Sequence, residues 1–302
     1  MLFDTSAVKI QPIHDKLLIE KGIELFLLRL DQIHSIISGN KLFKLNYFLK
    51  KAIDSNTKNI ITFGGAYSNH LVATAYACKI SGIQSVGIVR GEKPSNLSHT
   101  LEHCLSYGME LEFISRESFN SDRKMLLATE ILNSKGDGIL IPDGGYHPLG
   151  AMGAAEINDI FNKSSPTHIC TAVGTATTLG GLSISSSPTQ KIIGIPVLKG
   201  LNDIKERLQF VTNHRSIDNV EIFNEYHFGG YAKKTSELID FMNQLYRTNQ
   251  IPTDFVYTGK MMFAIMDKIK KNYFQKGSKI MCIHTGGLQG NLSLPKGTLI
   301  FD

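Results

Sequence analysis

No apolar run in this 302-residue chain approaches the roughly 20 residues that a membrane span requires, so no membrane partner is expected. Cysteine is scarce. Cys78, Cys104, Cys170 and Cys282 stand far apart with no C-x-x-C, which argues against a disulfide framework or a zinc ribbon. They fit reduced, mostly buried thiols. Residues 1–20 carry scattered charges and lack the apolar core of a signal peptide, which makes the cytoplasm the expected compartment. Charge of one sign is not massed anywhere. The formal net charge is +5, the basic residues are interspersed with acids, and the pairs Lys50-Lys51 and Lys270-Lys271 read as solvated helix faces. A nucleic-acid partner is therefore not expected. Internal repeats, low-complexity tracts and disordered tails are also missing. What remains is a chain 42% hydrophobic and 20% charged, long enough for two packed α/β layers.

Short β-branched runs alternate along it with segments of helical period. The runs are IELFLLRL (23–30), NIITF (59–63), QSVGIV (84–89), ELEFI (110–114), GILI (138–141), HICTAV (168–173), KIIGI (191–195), VEIF (220–223) and KIMCI (279–283). Between them, stretches such as FKLNYFLKKAI, NHLVATAYACKI, GAMGAAEINDIF and MMFAIMDKIKKNYF place apolar residues three and four apart. Such alternation predicts parallel strands joined by helical crossovers. Nine strands are many for one sheet of this length, so two α/β units are expected. Gly144, Gly145, Gly150 and Gly153 cluster around Pro142 and Pro148 and mark 142–150 as the passage between them. The boundaries read as a small unit over 42–150 and a large one combining 1–41 with 151–302.

Ligand sites in parallel sheets lie beyond the carboxyl ends of the strands, and four loops there stand out. Ser38-Gly39-Asn40-Lys41 precedes a helical pattern. A lysine beside Gly and Asn is commonly a solvated turn residue. The functional alternative is an amine at a loop end, with Gly39 giving a cofactor access to the backbone. Lys44 and Lys260 are rival amines. In Gly64-Gly65-Ala66-Tyr67-Ser68-Asn69-His70, Ser68 or Asn69 either caps a helix or helps its N-terminus hold a carboxylate. Val173-Gly174-Thr175-Ala176-Thr177-Thr178-Leu179-Gly180-Gly181 suits a single phosphate, while the lack of G-K-[ST] leaves a nucleoside triphosphate unsupported. Tyr257-Thr258-Gly259-Lys260 and His284-Thr285-Gly286-Gly287 complete the set. His99-Thr100-Leu101-Glu102-His103 matches the H-x-x-E-H helix of a zinc peptidase, but paired histidines are more often a helix's polar face, and no third ligand is marked. No metal is expected.

Taken in order, SGNKLFKLNYFLKKA, TFGGAYSNHLVATAYACKISG, AVGTATTLGGL, YTGK and IHTGG resemble the 1-aminocyclopropane-1-carboxylate deaminase and D-cysteine desulfhydrase family, from about Arg29 to Gly287. The family belongs to the tryptophan-synthase-β type of pyridoxal phosphate enzyme. The resemblance implies fold type II, an α/β architecture of two open, mostly parallel twisted sheets flanked by helices, with pyridoxal 5'-phosphate in the cleft between them and a homodimeric assembly. It implies Lys41 as the Schiff-base lysine, Lys44 as its outward-facing neighbour, and Asn69 on the cofactor's phenolic oxygen. Gly174, Thr175, Ala176, Thr177 and Thr178 would hold its phosphate, and Thr285 would meet the pyridine nitrogen. Ser68, Asn69 and His70 would bracket the carboxylate of a small amino-acid substrate, with Tyr257 as acid or base near it.

The cofactor is the electron sink, and the protein supplies orientation and electrostatics. By this resemblance, substrate would displace Lys41, the α-proton would leave, a group would depart from Cβ, and hydrolysis would yield a 2-oxo acid and ammonia. Ring-opening members of the family place Glu after the site tyrosine and Leu after the later histidine, whereas D-cysteine desulfhydrases have small hydroxyl residues at both. Thr258 and Thr285 side with the desulfhydrases. Family members also carry a second tyrosine in a Y-G-x-P-N segment. The matching stretch here is His227-Phe228-Gly229-Gly230-Tyr231-Ala232-Lys233, where either Tyr231 takes the role or the role is absent. D-cysteine elimination to pyruvate, ammonia and sulfide is the expectation. Ring opening to 2-oxobutanoate and ammonia, and a non-catalytic cofactor-binding protein, are the alternatives.

Overall fold

Ten strands and twelve α-helices form among the described residues, 4–34, 37 and 39–301, of the computed structural model. The strands are β1 (Ile10–Pro12), β2 (Glu24–Arg29), β3 (Asn59–Gly65), β4 (Gln84–Arg90), β5 (Met109–Ile114), β6 (Gly138–Ile141), β7 (His168–Val173), β8 (Lys191–Pro196), β9 (Val220–Ile222) and β10 (Lys279–His284). The helices are α1 (Lys16–Lys21), α2 (Asn40–Asp54), α3 (Asn69–Ile80), α4 (His99–Ser106), α5 (Arg116–Phe119), α6 (Arg123–Lys135), α7 (Pro148–Ala155), α8 (Ile157–Phe161), α9 (Thr177–Ser185), α10 (Ile204–Val211), α11 (Ser236–Asn249) and α12 (Thr258–Lys270).

They build two sheets. One has the order β1-β2-β10-β7-β8-β9, parallel except for β1, and the other, β5-β4-β3-β6, is wholly parallel. Each of the nine apolar runs overlaps a strand, differing only at the ends. Central strands such as β7 and β8 are buried at almost every position, because helices cover both faces, so they read as continuous rather than alternating apolar runs. The tenth strand, β1, has no counterpart among those runs. Its three residues are too short to show a period and are placed only by antiparallel pairing with β2. The apolar period also misses α1, which Asp15 caps and Gly22 ends in the left-handed conformation. The stretch GAMGAAEINDIF is two helices, broken at Glu156.

Helix α2 lies where the two sheets meet. Its Leu42, Phe43, Leu45, Phe48 and Leu49 share one core with Ile60 and Ala77 from the β3 side and with Ile169, Val173 and Ile283 from the larger sheet. Helix α7 packs directly on α2. A Cβ at Gly153 would stand 1.9 Å from the Phe43 carbonyl oxygen, so glycine is required by the closeness of the two backbones. This packing sets α2, and the lysines in its first turns, as a rigid strut between the sheets. No helix among the described residues is long and apolar enough to cross a membrane.

Candidate active site

The carboxyl ends of β3, β7 and β10 open on one cleft. Asn40, Lys41, Lys44, Asn69, Gly144, residues 172–179, Tyr257, Thr285 and Gly286 line it. Residues more than 200 positions apart are thus brought together. The larger groove between α1, α11 and α12, about 910 Å³, has no comparable chemistry. Two of its acids are already engaged: Asp15 caps α1, and Asp267 pairs with Lys271 and accepts from the Tyr226 hydroxyl.

Lys41 stands in the first turn of α2, which begins at Asn40, earlier than the apolar period implies. Gly39, with φ of 73°, has a packing role rather than that of opening the backbone to a cofactor. A Cβ there would stand 1.9 Å from the Thr285 carbonyl oxygen, which also accepts from the Asn40 N–H at 3.3 Å. Glycine lets the start of α2 pack closely on the turn after β10, and Lys41 and Thr285 both line the cleft there. Gly39→Ala is expected to cost about 2–4 kcal/mol, through overpacking and the left-handed φ, read as a lower urea midpoint. Ser38 lies outside the described residues.

The Lys41 ammonium donates to Asn40 Oδ1 at 2.9 Å, and Asn40 Nδ2 donates to Thr178 Oγ1 at 2.8 Å, so the amine is tied to the 174–178 turn. Burial pulls Lys41 down to about 8, and the Asp254 carboxylate partly offsets this. The positive end of α2 acts in the same direction as burial. Lys44 is a correction. Expected to face outward, it is only 4% exposed, three residues along the same helix face, and lines the cleft with its ammonium 3.2 Å from the Gly144 carbonyl. Burial, with the Lys41 charge added, holds it well below the ordinary lysine value.

The turn between β7 and α9 is built for an anion. Ala176 adopts φ of 64° at the helix start, and the N–H groups of Thr177, Thr178 and Leu179 have no acceptor within the helix. The Thr175 and Thr177 hydroxyls lie 2.9 Å apart. A methyl at Gly144 would stand 3.3 Å from Thr175, so Lys44, bonded to the Gly144 carbonyl, flanks this turn.

Of the loop at 64–70, only Asn69 lines the cleft, and its Oδ1 is buried without a partner. Ser68 and His70 do not. Ser68 caps α3, its hydroxyl accepting from the Leu71 N–H at 3.4 Å. The His70 ring is buried against Thr62, Nε2 to Oγ1 2.9 Å, and burial with two nearby lysines drives it down to about 3. The backbone N–H groups at this helix start are free of helical acceptors and suit a carboxylate. The histidines of the zinc-peptidase match stack on tyrosines, His99 on Tyr67 at 5.9 Å and His103 on Tyr107 at 6.3 Å. No cluster of three or more metal-ligating side chains occurs among the described residues.

Asp254 organises the far wall. Buried to 1% exposure, its carboxylate accepts from the N–H groups of Val256 (3.0 Å), Tyr257 (2.7 Å) and Thr258 (2.9 Å), fixing the turn that presents Tyr257 and starts α12. It belongs to none of the four motifs, although an Asp shortly before a helix is a capping signal that could have found it. Burial, then the Tyr231 phenol and then the Asp254 charge, raise Tyr257 well above the usual tyrosine value, so it carries its proton. Asp254 is also the negative charge that Lys41 feels. Asp254→Asn is expected to lower the pH midpoint of Lys41 below about 8, read from the pH dependence of cofactor attachment.

These groups fit pyridoxal phosphate. The buried Lys44 amine, the part-buried Lys41 amine and the first-turn N–H groups of α9 suit an anion, Asn69 leaves a buried polar atom unpartnered, and Lys41 and Thr285 line the same cleft. The pattern of the pyridoxal-phosphate dependent enzyme family matches residues 5–286. This chain belongs to that family. The bifunctional D-cysteine desulfhydrase/1-aminocyclopropane-1-carboxylate deaminase, mitochondrial, of Arabidopsis thaliana is 30% identical to the enzyme over 295 residues, covering 89% of this chain and 73% of its own. The crystal structure of a 1-aminocyclopropane-1-carboxylate (ACC) deaminase homologue superposes with a TM-score of 0.81 at 26% identity, over 96% of the enzyme and 92% of that chain. O-ureido-L-serine synthase, at 13% identity and a TM-score of 0.70, covers 96% and 92% and shares the fold alone. The enzyme is thus a fold type II pyridoxal phosphate enzyme of the ACC deaminase and D-cysteine desulfhydrase kind.

Proposed function

We propose that the enzyme eliminates the β-thiol of D-cysteine, giving pyruvate, ammonia and sulfide. The observation that carries the substrate choice is the pair Thr258 and Thr285, small hydroxyl residues where ring-opening relatives are expected to hold Glu and Leu. Thr285 lines the cleft with Lys41, and Thr258 is fully buried with its hydroxyl unpartnered at the start of α12. When bound, the cofactor supplies the electron sink that lets the α-proton leave.

Every other part is the chain's own. Lys41, part-neutral near pH 8, is the amine that carries the cofactor and holds or returns a proton at Nζ. Lys44, Gly174, Thr175, Ala176, Thr177 and Thr178 hold the phosphate. Asn69 would orient the ring through its side chain, and Thr285 would offer the ring nitrogen a hydroxyl rather than a carboxylate, which would temper the sink. The backbone at Ser68, Asn69 and His70 orients the substrate carboxylate. Tyr257, held protonated at its Oη, donates a proton or hydrogen bond on the substrate side. A homodimer belongs to the same reading, to be checked by light scattering.

A second reading has one observation in its favour. The Tyr231 ring lies 6.1 Å from that of Tyr257, which supports Tyr231 as the second tyrosine of the site. Ring opening of ACC, an activity named for the Arabidopsis relative, is therefore the alternative. Protein loaded with pyridoxal phosphate should release pyruvate and sulfide from D-cysteine faster than 2-oxobutanoate from ACC. The reverse order overturns the first reading in favour of the second, and a parallel assay with L-cysteine fixes the handedness.

A further inference from the structure

Lys260 is one of the rival amines of the sequence, and the chemistry just described leaves it unused. It is 0% exposed on a face of α12 whose neighbours are apolar, Met261, Met262 and Ile265. A lone buried ammonium costs several kcal/mol unless its hydrogens are taken up. Here they are taken up by one loop. The Lys260 ammonium donates to the carbonyl oxygens of His227 at 2.9 Å and Gly230 at 2.8 Å.

That loop is unusual. Phe228, Gly229, Gly230 and Ala232 all have positive φ, at 51°, 91°, 118° and 53°, and two of them carry a Cβ. Non-glycine residues in this region are strained by about 1–3 kcal/mol each and persist only where the surroundings hold them. The curled backbone turns two carbonyls inward onto one cation. It also carries Tyr231, which is half-exposed and packs edge-on against Tyr257, the tyrosine of the cleft. The charge of Arg90, at the carboxyl end of β4 in the smaller sheet, also acts on Tyr231.

We infer that Lys260 is a positioning residue: its buried ammonium is a built-in cation that clamps the 227–230 loop and so holds Tyr231 against Tyr257 at the solvent side of the cofactor cleft. The inference rests on the proposed function for its catalytic consequence only. Burial lowers the Lys260 value to about 8 and Asp254 pushes it back up, so the amine is largely charged at neutral pH. Asp254 therefore shapes both sides of the arrangement, fixing Tyr257 by its N–H contacts and Lys260 by its charge.

The test uses the full chain, with and without pyridoxal phosphate. In Lys260→Met, which keeps the apolar packing, the amides of 228–233 should exchange hydrogen at least tenfold faster. The rest of α12 should stay protected, and the cofactor's visible absorbance should titrate as in the wild type. Pyruvate release from D-cysteine should lose about tenfold or more in kcat with KM little changed. Tyr231→Phe should lose a similar factor, and the double variant no more than either single one, because both remove the same contact. If Lys260→Met does not fold, Lys260→Gln, a neutral donor, should show the same changes in smaller degree. Unchanged loop exchange in the folded lysine variant, or wild-type kcat in Tyr231→Phe, overturns the inference. Failure of the proposed function reads differently. The wild type would then give no visible band or no pyruvate, while loop exchange, which needs no turnover, still decides the role of Lys260.

Discussion

Lys41→Ala should abolish turnover, by at least about 10³-fold, and remove the visible band that the lysine-bound cofactor gives. The size follows from the amine's place and state. Lys41 lines the cleft and is tied through Asn40 to the anion turn. An ordinary lysine, at about 10.5, is neutral in only about 0.03% of molecules at pH 7, whereas one at about 8 is neutral in about 10%. Only the neutral amine attacks a carbonyl. Attachment of cofactor to the apoenzyme should therefore quicken with pH up to about 8 and then level off. Lys44 makes the variant informative, because a second buried amine lies three residues away. If Lys41→Ala kept a cofactor band and substantial turnover, Lys44 would be the carrier and the assignment would fall.

Lys44→Met should have two effects of opposite sign, a more stable apoenzyme and a weaker hold on the cofactor. Without an anion, the Lys44 ammonium has one carbonyl partner at 3.2 Å and no acid beside it. Replacing such a buried charge by an apolar side chain of like volume should stabilise the cofactor-free protein by about 1–3 kcal/mol. That corresponds to a rise on the order of 2–8 °C in Tm. The sign with pH follows from a value lower in the folded than in the unfolded chain. The unfolded state binds more protons, so the penalty is fullest below the folded value and fades as pH climbs towards 10.5. The wild-type apoenzyme should accordingly gain stability from about pH 7 to about pH 9, and Lys44→Met should flatten that gain. With the phosphate partner lost, pyridoxal phosphate should bind about 10- to 100-fold more weakly, the worth of one charge-assisted hydrogen bond. A variant that bound the cofactor normally would remove Lys44 from the phosphate site.

The site motifs are legible in the chain itself. The small-residue turn at 174–178 and the turns after β3 and β10 are each weak signals alone, since glycine and threonine also make plain turns, and they become legible together, in their order along the chain. Lys41 is legible through its company. Ser68 and His70 join the site in sequence only through proximity to Asn69, and residues adjacent at a helix start point in different directions. One caps the helix and one enters the sheet's core, so only Asn69 lines the cleft. Lys44 reads as outward-facing because lysine generally is. Its burial depends on α7 covering α2, a contact made by residues about a hundred positions away. Asp254 is unremarkable in sequence, and Lys260 is marked there only as a rival amine, because each acts on backbone groups, and any residue type supplies a carbonyl or an N–H.

The sequence by itself determined the strand and helix alternation, the two-sheet architecture and the residue types of the cofactor turns, since these follow from local period and from short segments that fold as units. The tertiary structure alone decided which amine is desolvated, which side chains of a motif reach the cleft, and how Tyr231 comes to stand beside Tyr257. Desolvation and charge coupling depend on which atoms crowd a group in space, and the chain sets that only by bringing distant segments together.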